Sequence, residues 1–590
     1  MDGDGAALRL RLQQAGAVPL RLLLFSPFAF LAVFYAYPVL TLFAISLAPA
    51  GQIDLGVLAD LFDTSYYVNL LGFTFGQAAL STLLTLALAL PSAYVFTRFD
   101  FPGKRLLLAL GTLPFVLPTV VVAPAFAALI GESGLLNDLL VSLFGLSEAP
   151  IQLERTLAII LIVHVFYNYS IALRLIASFW SSQSASIEEA ARVLGAHGWR
   201  MWWNVRLPML RPAILAAALL VFIFCFTSFG VVLILGGPRF ATLEVEIYRQ
   251  ATSLFNLPLA AALSMIQMAV IYLLMLIYAG IQRQVIVELR PEQTLRRPRR
   301  SVERIGVTAN LVVMSLLLFA PLLALVVQAF TLGGGFTLRY FTALGNNPRG
   351  SVLFTPPAVA IGNSLVFAIV TIFLALLLGT LASYALRRGS ASRWLDPLLM
   401  LPLATSAVTL GFGFIVALDE PPLNLRSSAA LIPIAHTLVA LPFVIRSVLP
   451  ALRAIPPNVT DAARTLGAHG WTLWRAIELP LISRALIVGA VFSFTVSMGE
   501  FGASLFIARP DTPTLPVVIF RLLGQPGAMN YGQALALSVI LMAVCSLAFV
   551  LIERFRTLGA GISDACRRFS GGISASRTDY QTLRRSRSAV

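Results

Sequence analysis

Among the ionisable side chains inside long apolar runs of the chain are His164, Arg174, His436, Arg446 and Glu500. A charge in hydrocarbon is costly, so each must pair, reach an interface or line a polar pathway. His164 and His436 could line such a pathway, or each could join helices through hydrogen bonds. Arg174 and Arg446 sit nearer the ends of their runs and can snorkel toward headgroups. Glu500, in Ser497-Met498-Gly499-Glu500-Phe501-Gly502, could attract a cationic solute or be paired locally. These residues do not assemble into a reaction centre. There are four histidines, and of the three cysteines Cys225 and Cys545 lie in apolar runs and Cys566 in the tail. No metal cluster or disulfide frame is suggested, and no catalytic residue or cofactor is expected. The phosphate-cradling pattern G-x-x-x-x-G-K-[ST] is missing: the only lysine is Lys104, and Arg98 stands where its first glycine belongs. The chain is therefore not expected to hydrolyse ATP by itself.

The elements that position these groups follow from composition. Of 590 residues, 58% are hydrophobic and 12% charged, with a mean hydropathy of +0.86. The charged share is about half the usual 25%, which excludes a soluble enzyme, a disordered chain and a coiled coil. Twelve apolar runs are long enough to cross a bilayer as helices: 22–47, 70–97, 106–130, 156–180, 213–236, 259–281, 305–330, 359–386, 395–418, 428–450, 485–508 and 532–553. They lack the period-2 alternation of a barrel. The first run follows Arg9, Arg11 and Arg21 and ends near Ala48-Pro49-Ala50, but it is about twice a signal peptide's apolar core, so it reads as a retained anchor. The net charge of +15 sits mainly in short loops, which points to membrane orientation and not to nucleic acid. With both termini in the cytoplasm, 32 of the 42 basic residues fall in inner segments and 8 in outer loops. The expected fold is an all-α polytopic protein of the cytoplasmic membrane.

The chain also repeats itself. Residues 190–199 (AARVLGAHGW) and 462–471 (AARTLGAHGW) agree at nine of ten positions, 272 residues apart. The same offset pairs His164 with His436, Arg174 with Arg446 and Phe229-Gly230 with Phe501-Gly502. Two parallel six-helix repeats are expected, 22–281 and 305–553, joined by a basic linker at 282–304. They are flanked by an inner segment 1–21 and by a basic, Ser-rich inner tail 554–590 that reads as disordered.

Each repeat carries a distinctive loop between its fourth and fifth spans, 181–212 and 451–484. In the first, Ser186 and Glu189 have capping-box spacing. Ile187, Ala190, Ala191 and Leu194 form one apolar face, Gly195 stops the helix, and Pro208 is expected to break the pattern before the next span. The second offers Val459, Ala462, Ala463 and Leu466, with Asp461, Gly467 and Pro480 in the matching roles. A generic interfacial helix has no reason to occur twice in nearly the same letters.

These loops resemble the cytoplasmic signature of ATP-binding-cassette (ABC) importer permeases: Glu-Ala-Ala, three residues, Gly, nine residues, Ile, one residue, Leu-Pro. The first copy gives Glu189-Ala190-Ala191, Gly195, Val205 and Leu207-Pro208. The second gives Asp461-Ala462-Ala463, Gly467, Ile477 and Leu479-Pro480. The departures are Val205 for Ile and Asp461 for Glu. The resemblance implies that these residues dock on a cytoplasmic ATPase dimer, which uses the ATP, and that an extracytoplasmic solute-binding protein delivers the solute. Its fused two-half form is similar to permeases for ferric iron and thiamine. The stretch Phe224–Gln250 resembles the thiamine group, and Gly499–Gly524 resembles both, the iron permeases somewhat more. The alternative is an ion-coupled secondary transporter with two six-helix repeats; it calls for ionisable residues spread over several spans and no paired inner helices.

Overall fold

A computed structural model describes residues 23–48, 51–54, 56–237, 239–285, 295–346, 356–387, 392–419, 421 and 423–551. The segment 1–21, the tail 554–590 with Cys566, and the linker residues 286–294 lie outside the described residues. Eleven described helices are long and apolar enough to span a membrane. A twelfth span results if the bent pair Leu395–Leu403 and Ala407–Ala417, turned by 94°, is counted as one.

The first half contains α1 (Leu23–Leu47), α2 (Ser65–Arg98), α3 (Thr119–Ile130) and α4 (Leu157–Ser181). It continues with the short α5 (Ala185–Val193), then α6 (Gly198–Phe226), the short α7 (Leu243–Thr252) and α8 (Leu257–Gln282). The second half repeats the order: α9 (Ser301–Ala329), α10 (Pro357–Arg387), α11 (Ala407–Ala417), α12 (Leu431–Arg453), α13 (Pro457–Thr465), α14 (Gly470–Gly499), α15 (Leu515–Leu523) and α16 (Ala528–Leu551). The fold is all-α. Its only sheet among the described residues is the hairpin Thr331–Leu332 with Gly335–Phe336, turned by two glycines with positive φ.

The helices are built for lipid. On α2 the leucines Leu80, Leu83, Leu84 and Leu88 face outward, whereas Ala78, Ser81, Thr82, Thr85, Ala89 and Ala93 are buried against protein. Small residues let backbones approach, and lipid-facing leucines lose nothing by staying in hydrocarbon. The buried hydroxyls of Thr74, Thr82, Thr85 and Thr97 donate to carbonyls one turn back, so no donor is left bare. Across helices, Gln77 donates to the Cys225 carbonyl at 2.9 Å and fastens α2 to α6.

The first span of each half reaches across to the other half. Helix α1 packs along α8 and also along α11 of the second half, while α9 packs along α3 of the first. Tyr35 shares a 2.7 Å hydrogen bond with Thr405 on one side. On the other, Asn310 donates to Ser92 and Gln328 to the Ser133 carbonyl, both at 2.8 Å. The described end of the linker is zipped to the loop after α2: Arg296 N–H donates to the Arg98 carbonyl, and Asp100 N–H returns the bond.

Several span ends depart from the sequence expectation. The fifth and eleventh spans begin at Gly198 and Gly470, not at 213 and 485, and stop at Phe226 and Gly499. The reason is that Pro208 and Pro480 do not break the chain. Each sits in the first turn after a wide π turn, in which Leu207 and Leu479 N–H groups bond five residues back to Trp202 and Trp474. That geometry leaves room for the proline ring. The region 106–130 is not one rod either: Lys104–Leu110 and Leu113–Val116 precede α3 as short turns.

Candidate coupling loops and central cavity

Helix α5 is capped by Ser184, whose Oγ accepts the Ser186 N–H. Ser186 is therefore inside the helix, and the expected Ser186–Glu189 capping box does not form. The helix ends in a Schellman turn: Ala196 N–H bonds the Ala191 carbonyl at 2.9 Å, with Gly195 at φ 84°. Helix α13 ends identically, Ala468 to Ala463 at 2.9 Å, with Gly467 at φ 87°. Most of the expected face of each helix is left uncovered. Leu194 and Leu466 are 88% and 89% exposed, and Ile187, Val193 and Val459 are exposed beside them. Glu189, Ala190, Asp461 and Ala462 are also on the outside, Ala191 is half-buried, and Ala463 is buried. Leu207 and Leu479 are half-buried, and Pro208 and Pro480 exposed, where the π turns re-enter the bundle.

What holds α5 in place was not among the expected residues. Glu188 is buried, and its carboxylate receives Arg98 from the end of α2, Arg206 from the start of α6 at 3.1 Å and Arg192 from its own helix at 3.4 Å. Arg206 also lies over the rings of Tyr94 and Trp202, 5.1 Å from each. In the second half the acid changes place. Thr460 occupies the place of Glu188, and Glu478 that of Arg206. Glu478 accepts from Arg387 and from the Tyr384 hydroxyl, both at 2.8 Å. Thus α5 is itself a corner of its ion cluster, whereas the second cluster joins two spans and leaves α13 out.

At the far ends of α6 and α14 the halves enclose a cavity of about 570 Å³. Its wall is largely apolar and aromatic, with Phe115, Phe224, Phe229, Phe443, Phe492 and Phe501. The Phe229 and Phe501 rings, 272 residues apart in the repeat, stack across the divide at 5.7 Å and 28°. Tyr248 of α7 meets Phe229 edge-on at 5.5 Å and Phe506 at 5.3 Å, which extends an aromatic layer across both halves.

Two of the three expected pathway residues line this cavity, His164 and Glu500; His436 does not. Each histidine bridges two hydroxyls. His164 lies 2.9 Å from Ser81 and 2.8 Å from Ser228, and His436 lies 2.7 Å from Ser497 and 2.9 Å from Ser504. Glu500 is buried where α14 stops. It accepts the N–H groups of Ala503 and Ser504 and the Ser504 hydroxyl, all within 2.8 Å, with His436 at 3.3 Å. A second carboxylate, Glu244 in the first turn of α7, also lines the cavity. It accepts from Ser406 of the other half at 2.6 Å and from Gln267 of α8. Of the two arginines in apolar runs, Arg174 donates to the Leu108 carbonyl, and Arg446 stands 3.8 Å from Asp396.

The family model for the binding-protein-dependent transport system inner membrane component matches the chain twice, over residues 81–287 and 375–557. The chain belongs to this family. Each match takes in one exposed loop helix and one wall of the cavity, so both features are part of a transport permease of the inner membrane, and the permease is the product of two fused family domains. This membership decides against the ion-coupled alternative. The permease is similar to the thiamine transport system permease protein ThiP of Escherichia coli, 29% identical over 84% of this chain and 90% of that protein. It is similar to ThiP of Haemophilus influenzae at 27% over 90% and 95%, and to ThiP of Brucella abortus at 28% over 84% and 88%.

Proposed function

We propose that the permease is the membrane subunit of an ABC importer that carries thiamine or a close analogue into the cytoplasm. Separate ATPase subunits bind α5 and α13 on the inner side. Their nucleotide-driven closure moves the two helices, rocks the halves and re-exposes the cavity to alternate sides. The observation that carries this reading is the matched pair of largely uncovered apolar helix faces at one end of the bundle. In water alone, Leu194 and Leu466 would gain nothing by standing free, and each offers about 2 kcal/mol on full burial in a partner's groove. The aromatic layer at Phe229 and Phe501 acts as the outer gate, and a solute-binding protein delivers to the surface beyond it. Thiamine is favoured over ferric iron by the relatives' named substrate and by the aromatic walls, which suit a flat heteroaromatic cation.

The test replaces both leucines by aspartate. Leu194→Asp with Leu466→Asp leaves the chain folded, because neither side chain is packed, but abolishes co-purification with the ATPase subunits and thiamine uptake in liposomes. Retained attachment and uptake would reject the docking role.

A further inference from the structure

The cavity contains two carboxylates, and they are not equivalent. Glu500 is consumed by the backbone. Its oxygens take up the Ala503 and Ser504 N–H groups that open the turn Gly502–Ile507, so it serves as the cap of a broken span. Its place in the first half is taken by Ser228, an uncharged residue whose hydroxyl meets His164 at 2.8 Å.

Glu244 has no such duty. Its side chain is fully buried, it caps nothing, and no described Lys, Arg or His lies within ion-pair distance of it. Its two donors, Ser406 and Gln267, are neutral side chains. Gln267 Oε1, on the same amide that donates to Glu244, is itself buried with no hydrogen-bond partner. Burial raises the Glu244 pKa to about 7 against the pull of those two donors, so the carboxyl stands between its neutral and charged forms, with a spare acceptor and no described counter-charge beside it. A buried carboxylate without a counter-charge is expensive. Alone it takes up a proton, whereas a cation entering through the cavity that Glu244 lines holds it in the ionised form.

We propose that Glu244 recognises the positive charge of the solute, an aromatic organic cation whose ring lies among the phenylalanines of the wall, and that Glu500 is a structural cap. This deepens the importer reading above and rests on it. A volume of about 570 Å³ is within the range of pockets that enclose small organic ligands. Because Ser406 belongs to the opposite half, rocking of the halves alters one of the two donors to Glu244 and so changes its hold on the cation.

The experiment compares Glu244→Gln, Glu500→Gln and the unaltered permease, each assembled with its ATPase subunits and solute-binding protein in liposomes. Uptake of thiamine is measured against its neutral thiophene analogue. Glu244→Gln is expected to lower the charged-to-neutral ratio at least about tenfold, while Glu500→Gln lowers thermal stability and leaves the ratio unchanged. An unchanged ratio in Glu244→Gln, or a shift confined to Glu500→Gln, overturns the assignment. A second measurement separates it from the thiamine reading: thermal stabilisation of the full permease in micelles by benzyltrimethylammonium. Stabilisation that is lost in Glu244→Gln supports the cation site even if thiamine is not carried, in which case only the substrate reading fails. No stabilisation of the unaltered permease, together with no thiamine uptake, overturns both.

Discussion

Glu188→Ala isolates the seat of helix α5. The carboxylate is 2% exposed and faces the guanidinium groups of Arg98 and Arg206, themselves mostly enclosed. Removing one partner of a buried ion pair costs about 3–5 kcal/mol, because the other charge is left without compensation. Two effects bring the figure toward the lower end. Arg98 keeps some contact with water, and Arg206 retains its two ring contacts, worth about 0.5–1 kcal/mol each. The exposed Arg192 pair adds only a few tenths. A loss of about 3 kcal/mol corresponds to roughly a hundredfold more frequent opening of α5. Hydrogen exchange of the full permease in lipid reads this directly. Amides of 185–193 should exchange about a hundredfold faster in the variant, with 457–465 unchanged, and thiamine uptake per ATP hydrolysed should fall. Glu188→Gln should lie between the two. Exchange within threefold of the unaltered protein would show that the cluster does not seat the helix.

Gly195→Val and Gly467→Val place β-branched residues at φ 84° and 87°, where nothing lies within 4 Å of the new side chain. The penalty is therefore backbone strain alone, about 1–2 kcal/mol each; ATPase co-purification should drop for both, and Asn at either position should restore it. Replacing both Phe229 and Phe501 by alanine removes the stacked pair between the halves and should give a solute leak through liposomes without ATP, whereas a tight, fully coupled variant would exclude the aromatic layer as the gate.

Much of this was legible in the letters. The apolar runs, the 272-residue repeat and the helix–glycine loops are local signals, and residues within a turn or two of each other decide them. What escaped reading depends on distance in sequence or on an acid that changes place between the halves. Glu188 has its partners at Arg98 and Arg206, and the repeat aligns it with Thr460, so comparison of the halves hides it. Glu244 lies in a short polar-edged helix outside every apolar run, yet the chain folds that helix back into the protein, where a hydropathy window gives no hint of burial. Glu500 stood out because it is acidic in an apolar run, but the turn at Gly502 needed it as a cap. Pro208 looked like a stop because a proline ring clashes with a regular helix; a widened turn removes the clash, and only the backbone shows it.

The crossing of first spans gives the polypeptide a clasp. Since α1 grips α11 and α9 grips α3, neither bundle is closed on its own, and a protease cut within 286–294 should yield two fragments that stay interlocked. Fusion of the two domains then matters chiefly during synthesis: it guarantees one copy of each and sets them down side by side before the crossing helices pack together.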